Sequence, residues 1–166
     1  MIHFLVPQAP RGETKEKKNM GDITQVQDGD IVVRTVTNAS TAMLHSRKGS
    51  VTINEKIDEN SNLTIRAAKN VSIGQKIDQH SNPDIVAGGS VEIGRKIDQY
   101  SVARIVAQTG NINIGQKVDQ HNTAFLSAPA GNIVIGEGIN QHSIVITRRK
   151  ERSSVLSMAV GPLTRT

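Results

Sequence analysis

The chain has 166 residues, a net charge of +5 and no cysteine, and only 2% of its residues are aromatic. Without cysteine, a disulfide framework and a thiolate metal site are excluded. With one Tyr, two Phe and no Trp, a core has to consist of Val, Ile, Leu and Ala. Such side chains suit thin, regular layers better than a bulky globular core.

The positive charge lies at the two ends of the chain. Residues 1–20 carry four basic and two acidic side chains, residues 147–166 carry five and one, and the remainder carries eleven and twelve. A basic end such as residues 148–152 can attract nucleic acid or anionic lipid. Because the stacking aromatics of single-strand binders are scarce, we favour a solvated end over a nucleic-acid contact.

Residues 1–28 form a flank before the repeated part of the chain. The opening run, residues 1–7, is too short for a secretory h-region or a membrane span, so we predict no membrane span. The cellular location stays open, with a cytoplasmic site and leaderless delivery both compatible. An open end of a repeat protein has to be covered, so at least one flank should pack over an end or pair with another subunit. The apolar residues expected to do this are Ile2, Phe4, Leu5, Val6, Val155, Leu156, Met158 and Val160.

Residues 29–147 contain an internal repeat. The segments VTINEKIDENS, VSIGQKIDQHS, VEIGRKIDQYS, INIGQKVDQHN and IVIGEGINQHS begin at Val51, Val71, Val91, Ile112 and Ile133, at spacings of 20, 20, 21 and 21 residues. A weaker copy precedes them by 20 residues, with its apolar pair at Ile31 and Val33. Self-similarity at a fixed period is the signature of a solenoid. We therefore predict an all-β, parallel β-solenoid of about six coils with 20 to 21 residues per coil.

Apolar residues alternate within each coil as half-buried strands require. The added residue of the longer coils falls in the turns 108–111 and 129–132, so the strands keep their phase. Two inward pairs recur in each coil, exemplified by Val71 with Ile73 and by Ile85 with Ala87. A third inward column is predicted at Ile57, Ile77, Ile97, Val118 and Ile139.

A corner follows the first strand of each coil, and glycine dominates it. Gly reaches positive φ without steric cost and Asn is its usual substitute, so we predict a left-handed backbone there and a structural role. The row comprises Asn54, Gly74, Gly94, Gly115 and Gly136.

Two charged columns follow from the stacking of the coils. A charged stripe for a partner is one interpretation; mutual neutralisation of two exposed columns is the one we favour. The lysines are Lys56, Lys76, Lys96 and Lys117, and the aspartates are Asp58, Asp78, Asp98 and Asp119.

A column of ring side chains stands two residues after the aspartates. It holds His80, His121 and His142, with Tyr100 between the first two histidines. Imidazoles on adjacent coils could share a metal ion. Because Tyr100 interrupts the column, we favour stacked rings and predict no metal and no cofactor.

The segments AGGSVEIG, AQTGNINIG and APAGNIVIG resemble the repeats of filamentous-haemagglutinin-type exoproteins, over residues 29–147. The stems of that family are right-handed parallel β-helices that present adhesins or toxins. The resemblance implies a right-handed solenoid with a structural or binding role.

The sequence favours a non-enzymatic structural or binding module. It holds no nucleophile elbow and no phosphate-binding glycine motif, and its turns are too short to wall a groove. We expect it to self-associate, or to bind another protein, through flat solenoid faces. One alternative is a carbohydrate-active β-helix enzyme with Asp78, Asp98 or Asp119 as acid and base. Another is an intracellular inhibitor such as an immunity protein.

Overall fold

The computed structural model describes residues 23–39 and 41–148, and the backbone alone of residues 18–20 and 153–157. These residues form nineteen β-strands and no helix, so none of them makes a membrane-spanning helix. They build a parallel β-solenoid of about six turns with about 21 residues per turn, as the repeat predicts. Of the apolar residues predicted to cover an end, those in residues 1–17 and 158–166 lie outside the described residues, whereas the backbone of Val155 and Leu156 belongs to the strand Ser153–Ser157.

The strands are short and follow one another at close intervals along the chain. In chain order they are β1 (Lys18–Met20), β2 (Ile23–Gln27), β3 (Ile31–Val33), β4 (Thr35–Thr37), β5 (Ala42–Ser46), β6 (Val51–Ile53), β7 (Ile57–Asp58), β8 (Asn62–Ala67), β9 (Val71–Ile73), β10 (Asn82–Ala87), β11 (Val91–Ile93), β12 (Val102–Ala107), β13 (Ile112–Ile114), β14 (Lys117–Val118), β15 (Thr123–Ser127), β16 (Ile133–Ile135), β17 (Gly138–Ile139), β18 (Ile144–Arg148) and β19 (Ser153–Ser157).

The strands stack into three ladders that run along the solenoid. The long face contains β2, β5, β8, β10, β12, β15 and β18, all parallel, and then β19, which is antiparallel to β18. The short face contains β3, β6, β9, β11, β13 and β16. A narrow third ladder starts with β1, β4 and β7, continues through single bridges at Ile77 and Ile97, and ends with β14 and β17. Partners across the parallel ladders, such as Val71 and Val91, occupy equivalent positions of the repeat.

The core is a stack of aliphatic layers. The inward residues of the short face and of the third ladder are buried from Ile31 to Val118. Their counterparts in the last coil, Ile133, Ile135 and Ile139, are only partly buried. Full burial of one such side chain contributes about 1.5–3 kcal/mol, so the aliphatic columns are the main favourable term.

The corner between the long and the short face is held by a polar ladder. The side-chain oxygen of one coil accepts the backbone N–H of the next: Asn70 Oδ1 from Ser90 at 2.9 Å, Ser90 Oγ from Asn111 at 3.1 Å, and Asn111 Oδ1 from Asn132 at 2.8 Å. The longer coils carry their added residue next to this ladder. Because the ladder satisfies the backbone there, the change in length does not disturb the strands.

The glycine row has a different origin from the one predicted. Of the described glycines only Gly138 has a positive φ, so the left-handed backbone predicted for Asn54, Gly74, Gly94, Gly115 and Gly136 is wrong. These glycines lie directly over one another. A Cβ on Gly94 would lie well inside van der Waals contact of the Gly74 carbonyl oxygen, and the next glycines repeat this approach. Close stacking of the backbone, rather than its handedness, excludes a side chain here.

Substitution of Gly94 by Ala should therefore destabilise the fold, because the new methyl group forces two coils apart. We expect a loss of about 1–3 kcal/mol in the free energy of unfolding, measured by urea denaturation. Gly29 is the matched control, since a Cβ there meets nothing within 4 Å. The variant Gly94→Asn separates the two explanations. Wild-type stability of Gly94→Asn would contradict the steric one.

Candidate functional site

The charged and ring columns both belong to the corner that joins the third ladder to the long face. In each of the coils two to five this corner reads Lys, an inward Ile or Val, Asp, two polar or aromatic residues, and then Ser or Asn. The four aspartates are buried, which corrects the prediction of two exposed columns. The lysines are partly exposed, with side-chain exposures from 27% to 34%. A partner at this corner would therefore meet the lysines and not the aspartates.

Each aspartate has a partner at both of its carboxylate oxygens. The third coil, which contains Asp78, illustrates the arrangement. Lys76 Nζ contacts Asp78 Oδ2, and the backbone N–H of Gln79 donates to Asp78 Oδ1 at 2.9 Å. Ser81 Oγ then donates to the Asp78 carbonyl at 2.6 Å. The other three coils repeat the arrangement, with Asn122 in the place of the serine in the fifth coil. A buried carboxylate is costly unless it is paired and hydrogen-bonded. All four are paired with a lysine and accept a backbone N–H, and Asp98 Oδ2 has only its ion pair with Lys96 and no hydrogen bond.

The aspartates cap a turn in which two consecutive residues are left-handed. Gln79 and His80 have φ of 50° and 59°, and Gln99 and Tyr100 have 52° and 59°. Each such non-glycine residue costs about 1–2 kcal/mol. Hydrogen bonds to the next coil offset this cost, for example from His80 N–H to the Gln99 carbonyl at 2.9 Å. Sequence reasoning missed this feature because the turn contains no glycine. The signal present was Asn and His, which tolerate this region better than most residues.

At these two positions of the repeat, lysine and aspartate occur only together. In the first coil Thr37 lies opposite Asp58 and takes the position of the aspartate. Thr35, two residues before Thr37, takes the position of the lysine. In the last coil the same two positions hold Gly138 and Asn140. No coil carries a buried carboxylate without its lysine. The pair is therefore explained as an ion pair within one coil, two residues apart on the same side of the strand.

The pairing changes the acid–base behaviour of the lysines. The hydrogen bond to Asp58 raises the pKa of Lys56 above its usual 10.5, against the opposing effect of burial. The hydrogen bond to Asp119, at 2.5 Å, and the charge of that carboxylate raise the pKa of Lys117 in the same way. Both lysines stay charged at every physiological pH.

The four rings of the ring column stack along the corner. Ring centroids are 5.4 Å apart for His80 and Tyr100, 5.0 Å for Tyr100 and His121, and 5.1 Å for His121 and His142. Neighbouring planes are within 14° of parallel. Among the described residues no group of three or more His, Cys, Asp or Glu side chains is placed to hold a metal ion. Each ring thus packs its face against the ring of the neighbouring coil.

A second charged cluster lies on the outer surface of the long face, and the repeat does not predict it. Asp84 accepts from Arg104 Nη1 at 2.8 Å and from Arg66 Nη2 at 2.5 Å. Burial raises the pKa of Asp84, but the two guanidinium groups outweigh it and hold that pKa below 3.8. The three residues come from three successive coils and do not repeat, so the columns could not reveal them.

The substitution Asp98→Asn tests the role of the buried pair. It removes the charge that compensates Lys96 while leaving an oxygen for the Gln99 N–H. We expect a loss of about 3 kcal/mol in unfolding free energy, because one partner of a largely buried ion pair is left alone. The double variant Lys96→Thr/Asp98→Thr copies the first coil and should lose less. Equal losses in single and double variants would show that the pairing has no energetic weight.

The raised lysine pKa values predict a loss of stability in alkali. A group with a raised folded pKa contributes stability that is complete below its unfolded pKa, near 10.5, and disappears as the pH rises through the folded value. The denaturation midpoint should therefore fall above about pH 10.5. In the variant Lys56→Thr/Asp58→Thr/Lys117→Thr/Asp119→Thr, which removes both pairs as in the first coil, this fall should be smaller. An unchanged pH profile in that variant would contradict the assignment.

Comparison with known proteins assigns this chain to no family. No family model, no curated protein and no solved structure matches it. Beyond the resemblance in its repeats, what the molecule itself shows is a parallel β-solenoid of about six turns.

Proposed function

We propose that this chain is a non-enzymatic structural module that self-associates through the flat faces of its solenoid. The observation that carries the proposal is the constant register of the ladders. Outward residues stand in straight columns with one residue per coil, such as Thr64, Asp84 and Arg104 on the long face. A surface of this kind is flat and rigid, and a second copy presents the same spacing.

The polar residues that could carry chemistry are engaged within the chain. Asp78, Asp98 and Asp119 are the residues that a carbohydrate-active enzyme would use as acid and base. All three are buried, each against a lysine of its own coil. A general acid or base has to come within hydrogen-bond distance of the substrate atom it serves. Their burial supports an assembly role over glycoside chemistry.

Electrostatics do not oppose contact between two solenoid bodies. Residues 21–146 carry eleven basic and twelve acidic side chains, so this part of the chain is close to neutral. The surplus positive charge lies at the two ends of the sequence. Repulsion between copies should therefore arise from the ends and should be screened by salt.

Self-association should consequently increase between low and moderate ionic strength. The measurement is sedimentation velocity or light scattering at about 20 and 150 mM salt, a range in which the Debye length falls to about 8 Å. We expect a larger oligomer fraction at the higher salt concentration. A strict monomer at high protein concentration in both buffers would exclude self-association.

A further inference from the structure

The outer surface of the long face carries most of the exposed apolar side chains in the described part of the chain. The parallel strands place outward residues in columns, and the central column runs from Thr24 to Ile146 with Asp84 in the middle strand. Seven large apolar side chains are exposed among the described residues, and five of them lie on this face. They are Val26, Met43, Val102, Phe125 and Ile144.

These five residues form two groups at opposite ends of the face. Met43 belongs to the central column of β5 and Phe125 to the central column of β15, two strands before and two strands after the β10 strand that carries Asp84. Met43 is 40% exposed and Phe125 42% exposed. Between the two groups lies the polar cluster of Asp84 with its two arginines. The face therefore has an apolar, polar, apolar order that is nearly symmetric about β10.

Phe125 has the surroundings of an interface anchor. In the ladder Phe125 lies directly between Arg104 and Ile146, and Val102 and Ile144 are its diagonal neighbours. Both of the Phe and Tyr residues in the described part of the chain, Tyr100 and Phe125, are exposed. Exposed aromatic side chains with an apolar surround and a polar rim are typical of binding hot spots.

The size of the face fits a second copy of the chain. The seven parallel strands, about 4.8 Å apart and each about 17–20 Å long, give a flat area of about 600 Å². Two such faces in contact reach the lower end of the range for a stable interface, about 1,200 Å² in total. The Phe125 group alone spans three strands and is too small for this. The occupant therefore has to cover the whole face.

Charge selects the orientation of that second copy. Arg104 and Thr64 occupy the central column on either side of Asp84. Parallel solenoids would place Arg104 of one copy opposite Arg104 of the other, whereas antiparallel solenoids place it opposite Thr64. A two-fold axis along β10 gives the antiparallel arrangement. It brings Met43 of each copy opposite or next to Phe125 of the other.

We propose that two copies pack long face against long face in antiparallel orientation, with Met43 of one copy against Phe125 of the other at both ends. Sulfur–aromatic and apolar contacts stabilise the two ends of the interface. The Asp84 clusters meet at the centre, where each carboxylate is already compensated by arginines of its own chain. This arrangement rests on the proposed self-association and specifies its surface and its symmetry.

The experiment introduces opposite charges at the two ends of the face. The variants Met43→Glu and Phe125→Lys should each weaken association of the full chain at least about 30-fold, since each inserts a charge at a hot spot. The double variant Met43→Glu/Phe125→Lys should recover association, because the antiparallel dimer pairs Glu with Lys twice. Val134→Lys is the control, with a 51% exposed apolar residue on the short face. Sedimentation gives the dissociation constants, and circular dichroism confirms that each variant is folded.

The outcomes separate this inference from the proposed function. Loss in both single variants, recovery in the double variant and no loss in Val134→Lys would support the antiparallel dimer. If the wild type associates but the double variant stays weaker than either single one, the copies are parallel and the proposed orientation is wrong. If the wild type associates and only Val134→Lys weakens it, the short face is the interface. A wild-type chain that never associates would overturn the proposed function itself.

Discussion

The central part of the solenoid, coils two to five, depends on a corner that closes in the same way in each of these coils. Two consecutive residues in the left-handed region turn the chain from the third ladder to the long face, and a buried aspartate holds that turn from inside. Without the aspartate, the backbone N–H after it would lose its acceptor and the turn would lose its anchor. The lysine two residues earlier makes burial of the carboxylate tolerable. Register on all three ladders follows from this closure.

Uniform closure has a functional consequence at the surface. Because each coil returns to the same point, outward side chains align in columns, and differences between coils show as patches on a flat face. Repeated residues are largely used inside the molecule, in ion pairs, stacked rings and backbone ladders. Residues that break the repeat, such as Met43, Asp84 and Phe125, vary the outer surface. The non-repeated positions are therefore where a specific interaction has to be sought.

The repeat was sufficient to predict the class of fold, the number of coils and the inward columns, because stacking of equivalent residues follows from the period alone. It did not indicate how deeply a polar column lies. The column pattern predicts Asp98 on the surface, whereas the structure buries it. The burial could not be predicted because it depends on Lys96 and on a left-handed turn that contains no glycine. The glycines were misinterpreted for a related reason. A side chain at Gly94 is excluded because its position lies against the backbone carbonyl of Gly74 in the neighbouring coil. Such a contact between coils is not visible in the local sequence.

The reversed direction of β19 limits how such a molecule can grow. A stack of parallel strands has no inherent length, since every new coil presents the edge on which the next can be laid, and unprotected edges of this kind seed fibrils. Among the described strands of the long face, the outermost one, β19, runs against all the others, so its outer edge no longer matches that of a parallel coil. Elongation in phase stops at this strand on that face. If copies associate through the sides of the solenoid, as proposed, this strand favours discrete assemblies over open-ended polymers.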